Sequence, residues 1–299
     1  MSRFGILVGN GFTLDYSIPR ELHSSYPLST FRSSKISYKD FINKLPDVKK
    51  DLLQQKGSSH FNRISDYIDK NWSDANKNCQ LRRFLALAYS TFQLTLDNHD
   101  INEWRWTDWL RENKENLVCA ISFNYDLVLE NAFRAADTSF YRVGTNEDIG
   151  NIPILKPHGS LDFDLPDKII SCPIEQRWNI STKLNDAQYV QTIPKSDWLI
   201  PRMEADIIPP SLHNIQLRLS WIQKMFNIYL EQVRQMDSFV IVGSSYWGVD
   251  RNEIDFFLKN LKKGSKVYII DPNPNIDLIR KVHSLELLFS EPTKKGLPW

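Results

Sequence analysis

Two side chains that could take part in a reaction follow short apolar segments of this sequence. His158 comes after the segment 152–155, and Asn124 comes after the segment 117–122. An imidazole can act as a general base or orient a hydroxyl group, and an amide can hold a water or a ribose hydroxyl in place. Each residue also has an ordinary explanation, because a lone histidine is more often structural and Asn readily forms an Asx turn or a helix cap.

Two glycine-containing turns follow two other apolar segments. Residues 9–12 read Gly-Asn-Gly-Phe after the segment 4–8, and residues 243–245 read Gly-Ser-Ser after the segment 238–242. Glycine lets a phosphate approach backbone N–H groups that a Cβ atom would block, and the serine hydroxyls could bond phosphate or ribose oxygens. Leu14 stands where the dinucleotide fingerprint has its third glycine, so a turn without a ligand stays an alternative. The candidate binding residues in these turns are Gly9, Asn10, Gly11, Phe12, Gly243, Ser244 and Ser245.

Two acidic residues complete the candidate set. Asp126 lies two positions after Asn124, and Asp271 follows the apolar segment 266–270. An acidic residue at the end of such a strand is the usual partner of ribose hydroxyls. Asp271 precedes Pro272, so turn formation is a second and compatible interpretation.

The apolar segments alternate with stretches whose apolar residues recur at helical spacing. This pattern predicts an α/β fold with a Rossmann-like, doubly wound and mostly parallel sheet. Ligands of such sheets bind in the crevice beyond the carboxyl ends of the strands. The candidate residues all follow predicted strands, so we expect them to meet in one crevice.

The chain is expected to form a single domain over residues 1–299. Residues 20–112 are polar with helix-like spacing, and we predict a large, mainly helical insertion there. Residues 163–212 contain prolines and mixed polarity, which indicates a second, irregular insertion. Apolar residues at 3–4 spacing predict helices over 81–96 and 215–236.

Composition excludes several classes of protein. The chain has 299 residues, a net charge of +1 and 41% hydrophobic residues, so it can build a core and has no general attraction to nucleic acid or membranes. No stretch approaches the roughly 18 apolar residues of a membrane span. The three cysteines stand far apart, which excludes a four-thiolate zinc site. We therefore expect a cytoplasmic protein without a membrane or nucleic-acid partner. The cysteines are Cys79, Cys119 and Cys172.

The order of the motifs resembles that of a known family. Gly9–Phe12, Ser122–Asp126, His158–Gly159, Gly243–Ser245 and Ile270–Asp271 are similar to the motifs of the sirtuin-like domain. The Gly-Asn-Gly-Phe and Phe-Asn-Tyr-Asp variants resemble in particular the sirtuin-like NAD hydrolases of bacterial antiphage defence. The resemblance covers the sheet at both ends of the chain and leaves out the two insertions.

The resemblance implies a role for each candidate residue. Asn124 and His158 would be catalytic, and Asp126 would orient a group or offer negative charge to the forming cation. Residues 9–12 would contact the pyrophosphate of NAD, residues 243–245 a phosphate or ribose, and Asp271 the adenosine ribose. NAD would be the substrate, and no metal is expected.

The sequence departs from the deacylase sirtuins, which carry four cysteines for a structural zinc. This difference favours an NAD glycohydrolase, which cleaves the nicotinamide–ribose bond to give nicotinamide and ADP-ribose. The alternatives are a catalytically silent sensor that binds NAD or ADP-ribose, a protein deacylase, and a scaffold without a cofactor. Asp271 favours NAD over NADP.

An NAD hydrolase that is always active would starve its own cell. We therefore expect control through a homo-oligomer or a separate partner, and the resemblance suggests a HerA-type hexameric ATPase. The candidate surfaces are the segment Trp104–Trp109 and the predicted helix at 215–236. For both segments, internal packing is the favoured interpretation.

Overall fold

The computed structural model describes residues 2–29, 39–54, 59–147, 149–166, 187–200, 202, 204–212 and 219–299. The strands are β1 (Phe4–Val8), β2 (Leu117–Ser122), β3 (Phe140–Arg142), β4 (Ile152–Leu155), β5 (Phe163–Asp164), β6 (Gln191–Thr192), β7 (Ser238–Val242), β8 (Lys266–Ile270) and β9 (Leu288–Ser290). The helices are α1 (Asn10–Ser17), α2 (Lys39–Asn43), α3 (His60–Lys70), α4 (Ala75–Leu96), α5 (Arg105–Asn113), α6 (Val128–Ala135), α7 (Ser220–Gln232), α8 (Gly248–Lys259) and α9 (Ile276–Ser284).

Seven strands form one sheet in the order β3-β4-β2-β1-β7-β8-β9, and each neighbouring pair is parallel. Without the edge strand β3, this is the strand order of dinucleotide-binding folds, with β1 at the centre. The arrangement confirms the predicted Rossmann-like, doubly wound α/β sheet. β5 and β6 form a separate antiparallel pair.

Both faces of the sheet are covered, which explains why its central strands are apolar without alternation. In β1, Phe4, Ile6 and Val8 enter one hydrophobic core, and Leu7 enters the other. The first core is completed by helices α1 to α6, and the second by α7, α8 and α9.

The described part of residues 20–112 is mainly helical. The predicted helix over 81–96 is α4, which begins earlier because the Asp74 carboxylate caps it by accepting from the Lys77 N–H. The tryptophans of the segment Trp104–Trp109 are buried, as the interpretation of internal packing requires. Whether the whole segment is an insertion into one domain stays a prediction.

The second predicted insertion is described only in part. Residues 167–186, 201 and 203, and with them Cys172, lie outside the described residues. The remainder contains the short strands β5 and β6. The predicted helix over 215–236 is α7, followed by a short 3-10 helix, Val233–Gln235. Residues 213–218 again lie outside the described residues. None of the helices in the described ranges has the length and apolar character needed to cross a membrane.

The two glycine turns pack against each other between β1 and β7, where the direction of strand order reverses. The Gly11 N–H donates to the Gly243 carbonyl oxygen at 2.8 Å, and the Gly9 N–H donates to the Val242 carbonyl oxygen at 2.9 Å. A Cβ atom at Gly11 would stand 2.5 Å from the Gly243 Cα. These glycines are therefore required by the contact between the two turns, whether or not a phosphate approaches them.

The chain offers a matched test of this contact. Gly243 and Gly264 have φ angles of +57° and +78°, but a Cβ at Gly243 would lie 2.4 Å from Gly11, whereas one at Gly264 meets nothing within 4 Å. Gly264→Ala should cost about 1 kcal/mol through backbone conformation alone. Gly243→Ala should lower the free energy of unfolding by roughly 2–4 kcal/mol, because overpacking adds to the backbone cost. Chemical denaturation measures both, and equal losses would contradict the proposed packing role.

Candidate functional site

A cavity of about 650 Å³ opens beyond the carboxyl ends of β1, β2, β7 and β8. It brings together every candidate residue named from the sequence except Phe12. Six aromatic residues also line it, of which Phe123 and Tyr125 belong to the Phe-Asn-Tyr-Asp motif. The candidate residues in the cavity wall are Gly9, Asn10, Gly11, Asn124, Asp126, His158, Gly243, Ser244, Ser245 and Asp271, and the aromatics are Phe61, Tyr89, Phe123, Tyr125, Tyr246 and Trp247.

Phe12 is placed in the hydrophobic core beneath the first turn. Its side chain is fully buried, with its ring centroid 4.7 Å from that of Trp104 and 5.5 Å from that of Trp106. Its N–H donates to the Gly9 carbonyl oxygen at 3.0 Å. The structure therefore does not bring Phe12 to the cavity with its neighbours, because the indole rings of α5 and of the residue before it offer a better apolar site.

Asn10 anchors the first turn rather than reaching freely into the cavity. Its Oδ1 accepts from the Ser24 hydroxyl at 2.6 Å, and its Nδ2 donates to the Ser25 hydroxyl at 2.8 Å. The turn is thus tied both to the segment after α1 and, through Gly11, to Gly243.

Asn124 presents the oxygen of its side-chain amide, Oδ1, to the cavity. Its Nδ2 donates to the Gly9 carbonyl oxygen at 2.9 Å and to Thr13 Oγ1 at 3.0 Å. The single hydroxyl proton of Thr13 is committed to the Asp126 carboxylate, at 3.0 and 2.9 Å from its two oxygens. Both neighbours of the amide group must therefore accept, which fixes the NH₂ end towards the protein. The Oδ1 atom is left to accept a hydrogen bond from a water or a hydroxyl group.

Asp126 fixes the orientation of the Thr13 hydroxyl, and with it the amide of Asn124. Its carboxylate is buried and also accepts from the Val128 N–H at 3.1 Å, at the start of α6. Burial raises the pKa of Asp126, and the nearby Lys156 ammonium opposes that change. Lys156 Nζ donates to the Asp126 carbonyl oxygen at 2.7 Å and pairs with Glu130 at 3.0 Å, with both side chains fully buried. Asp126 therefore orients Asn124 through Thr13.

His158 lies flat against Phe123, with ring centroids 4.5 Å apart and an angle of 15° between the rings. Its Nε2 is 2.5 Å from Glu253 Oε2 and 4.0 Å from Asp250 Oδ1. Burial by itself lowers the pKa of His158. The Glu253 carboxylate, with help from Asp250 and the Phe123 backbone, outweighs burial and raises this pKa to about 9. The imidazole is thus held as a cation at neutral pH.

Asp250 lies farther from the His158 imidazole than Glu253 does. Burial raises its pKa to about 6, with His158 opposing this increase and Glu253 adding to it. It lines the cavity together with His158. Asp250 is therefore the carboxylate that the cavity wall presents beside His158, since Glu253 is committed to the imidazole.

Among the described residues, His158, Asp250 and Glu253 form the group whose ligand atoms lie close enough to hold a metal ion, all within 4.8 Å of one another. Two ligand atoms on one tetrahedral zinc ion stand roughly 3.4 Å apart. The distance of 2.5 Å between Nε2 and Oε2 is shorter, and it corresponds to a short, charge-assisted hydrogen bond. The group is therefore arranged as an ion pair.

The second glycine turn, residues 243–245, and Asp271 form the opposite end of the cavity. Asp271 Oδ1 accepts from the Asn273 N–H at 2.8 Å, so the expected turn is formed while the residue still lines the cavity. Burial raises the pKa of Asp271. The Ser245 carbonyl oxygen accepts from Asn275 Nδ2 at 3.1 Å, which joins this turn to the start of α9.

Three residues of the site were missed by sequence reasoning. Thr13 lies inside α1, and Asp250 and Glu253 lie one turn apart on α8. A single hydroxyl residue within a helix forms no sequence motif that would mark it as part of a site. Acidic residues near a helix start are expected from the helix dipole alone. Their i, i+3 spacing, which places both carboxylates on one face, was the available signal.

Comparisons with known proteins give distant likenesses. No family model and no curated protein matches the chain. A solved structure on the mechanism and regulation of Sir2 enzymes is 12% identical, covers 97% of this chain and 87% of that chain, and has a TM-score of 0.39. A Sir2 variant with a deacetylated p53 peptide and 3′-O-acetyl ADP-ribose is 12% identical, with coverages of 94% and 92% and a TM-score of 0.35.

A third solved structure, on sirtuin substrate affinity, is 11% identical, covers 96% of this chain and 88% of that chain, and has a TM-score of 0.34. TM-scores below 0.5 are too low to support a family assignment or a reaction. We therefore base the function on the cavity.

The link through Thr13 can be tested by stability. Thr13→Val removes the donor to Asp126 and the acceptor for Asn124, so the free energy of unfolding should fall by about 1–3 kcal/mol. Thr13→Ser keeps the hydroxyl and should cost less than about 1 kcal/mol, since only a methyl group is lost. Denaturant titration of both variants gives the comparison. Equal losses in the two variants would show that the hydroxyl does not hold the network together.

Proposed function

We propose that the chain binds NAD in this cavity and hydrolyses the nicotinamide–ribose bond to give nicotinamide and ADP-ribose. One observation carries the proposal. Asn124, after β2, and His158, after β4, line the same cavity as the two glycine turns between β1 and β7. An acceptor oxygen and a titratable imidazole therefore stand beside a place that suits a dinucleotide.

The cavity suits NAD in size and in the placement of charge. Its volume of about 650 Å³ lies in the usual range for small-molecule sites. The N-terminus of α1 opens on it, and the positive end of the helix dipole favours a pyrophosphate. The N–H groups of Gly11 and Phe12 are already bonded within the protein, so the hydroxyls of Ser244 and Ser245 would supply much of the phosphate binding.

The chemistry needs positioning and charge more than a strong nucleophile. Nicotinamide leaves as a neutral molecule when the C1′–N bond of the cationic precursor breaks, and the ribose passes through an oxocarbenium-like transition state. The carboxylate of Asp250, which lines the cavity, would stabilise that positive charge. Asn124 Oδ1 would accept from the attacking water as its oxygen bonds to C1′, and His158 would take up the released proton in its neutral form.

A second function is favoured by one specific observation. The Nε2 atom of His158 is hydrogen-bonded to Glu253, so the structure holds the imidazole as a cation, which cannot accept a proton. This arrangement fits a module that binds NAD or ADP-ribose without turnover. Protein deacylation has no comparable support in the cavity.

The cellular setting is proposed from the motif resemblance alone. NAD depletion by this chain would serve antiphage defence, with activity controlled by a homo-oligomer or by a HerA-type hexameric ATPase. The burial of Trp104, Trp106 and Trp109 takes that segment out of the candidate contact surfaces.

The catalytic roles can be tested by substitution. Asn124→Ala and His158→Gln should each lower the rate of nicotinamide release from NAD by about 100-fold or more, which is the usual size of a positioned acid–base or orienting group. Binding of NAD measured by calorimetry should change far less. The matched control is His283→Gln, because His283 is exposed on α9 and should leave the rate unchanged.

Two outcomes would count against these roles. Wild-type protein that binds NAD and leaves it intact, as measured by mass spectrometry, would support the sensor instead of the hydrolase. Full turnover in Asn124→Ala or His158→Gln would remove the role of that residue and leave the fold unaffected.

Discrimination between NAD and NADP should depend on Asp271. A 2′-phosphate on the adenosine ribose would meet this carboxylate, so NADP should bind at least about tenfold more weakly than NAD, or roughly 1.4 kcal/mol. Asp271→Asn should narrow the difference in affinity between NAD and NADP, while Asp108→Asn, an exposed change on α5 whose carboxylate pairs with Arg111, should not. Calorimetric titration with both dinucleotides decides it, and an unchanged preference in Asp271→Asn would place the adenosine ribose elsewhere.

A further inference from the structure

Glu253 occupies the Nε2 atom of His158 in this structure. Nε2 is 2.5 Å from Glu253 Oε2, and the ring stacks on Phe123 with centroids 4.5 Å apart. Any ligand that uses this nitrogen must therefore displace Glu253.

Glu253 is held in place by the helix that carries it. The side chain is almost fully buried, and its neighbour Ile254, with Phe257 and Leu258, anchors α8 in the second hydrophobic core. A carboxylate on a packed helix keeps its position relative to the sheet better than one on a loop. The contact with His158 is therefore a fixed property of the cavity rather than a surface ion pair.

Charged and titratable groups reach this imidazole from two sides. Glu253 and Asp250 face it from α8, and both favour the cation. Tyr125 lies near the same carboxylates, but its hydroxyl donates to the Ile208 carbonyl oxygen at 2.6 Å and stays neutral. The nearest buried ammonium, that of Lys156, is committed to Glu130 and Asp126.

We propose that Glu253 is a positioning residue that holds Nε2 of His158 and keeps the imidazole in its cationic, resting form; a ribose hydroxyl takes the place of Glu253 at this nitrogen only after the Nε2 proton has passed to solvent. This inference rests on the proposed NAD hydrolysis, in which the neutral imidazole is the reactive form. Glu253 then limits turnover in the absence of a well-placed ribose. Glu253 thus slows NAD hydrolysis from within the site itself, without a second domain.

The proton affinity of His158 can be measured without substrate. In ¹³C-histidine NMR titrations, with the resonance assigned by its loss in His158→Gln, the wild-type pKa should be about 9. Glu253→Gln should lower this pKa by at least about one pH unit, a tenfold change in proton affinity. Asp250→Asn should lower it less, because its oxygen is 4.0 Å from Nε2 rather than 2.5 Å.

The matched control is Glu286→Gln, since Glu286 is exposed and pairs with Lys263 far from the cavity. It should leave the His158 titration unchanged. If Glu253→Gln also leaves the titration unchanged, the proposal is overturned. If Glu253→Gln does not fold, Glu253→Asp serves instead, and its shorter arm should give an intermediate pKa.

The pH dependence of NAD hydrolysis provides the second readout. The wild-type rate should rise with pH up to about 9, because the neutral imidazole is the reactive form. Glu253→Gln should move the rise to lower pH. Each tenfold loss of proton affinity at His158 should then make the rate at about pH 7 roughly tenfold faster. A variant that is slower at every pH, with the rise unmoved, would show a merely structural role and overturn the proposal.

The two readouts separate this inference from the proposed function. A lower pKa of His158 in Glu253→Gln than in the wild type supports Glu253 as the residue that sets the charge of the imidazole, whatever the protein does to NAD. If wild-type protein leaves NAD intact while that difference in pKa is present, the proposed hydrolysis is overturned and the role of the contact between Glu253 and His158 stands.

Discussion

The site depends on a contact between two backbone turns that are more than two hundred residues apart in the chain. The Gly11 N–H donates to the Gly243 carbonyl oxygen, and neither glycine has room for a Cβ atom. This contact joins the central strand β1 to β7 at the point where strand order reverses. It also sets the edge of the crevice on which Asn124 and His158 converge from the other half of the sheet.

Charge is distributed unevenly along the resulting cavity. One end holds a helix N-terminus and serine hydroxyls, which suit an anion, and the other holds Asp250 beside the pair formed by His158 and Glu253. The proposed ligand has the complementary pattern, with an anionic pyrophosphate in its middle and a cationic nicotinamide at one end. Aromatic rings in the wall lower the local dielectric constant, which strengthens the electrostatic interactions of both ends.

Much of the sheet and of its crevice was predictable from sequence, since parallel strands that are buried on both faces read as apolar runs and end in glycine or polar residues. Strand ends share one edge of the sheet, so their residues meet without any knowledge of the loops between them. The contributions of helices were not predictable in this way. Thr13 and Glu253 reach the site because of how α1 and α8 are rotated against the sheet, and that rotation is set by packing throughout both cores. Phe12 was assigned to the ligand from its place in a motif, whereas the indoles around it decide its position.

The longest helix of the predicted insertion contributes to the wall of the cavity. Tyr89 of α4 lines it, packs at 5.1 Å against Tyr125, and donates its hydroxyl to the Ser24 carbonyl oxygen, while Phe61 comes from α3. The reactive groups and this part of the wall are thus encoded by different stretches of the polypeptide. Over evolutionary time this part of the wall can diversify in sequence, and so admit new ligands, while the sheet that holds the reactive groups stays constant.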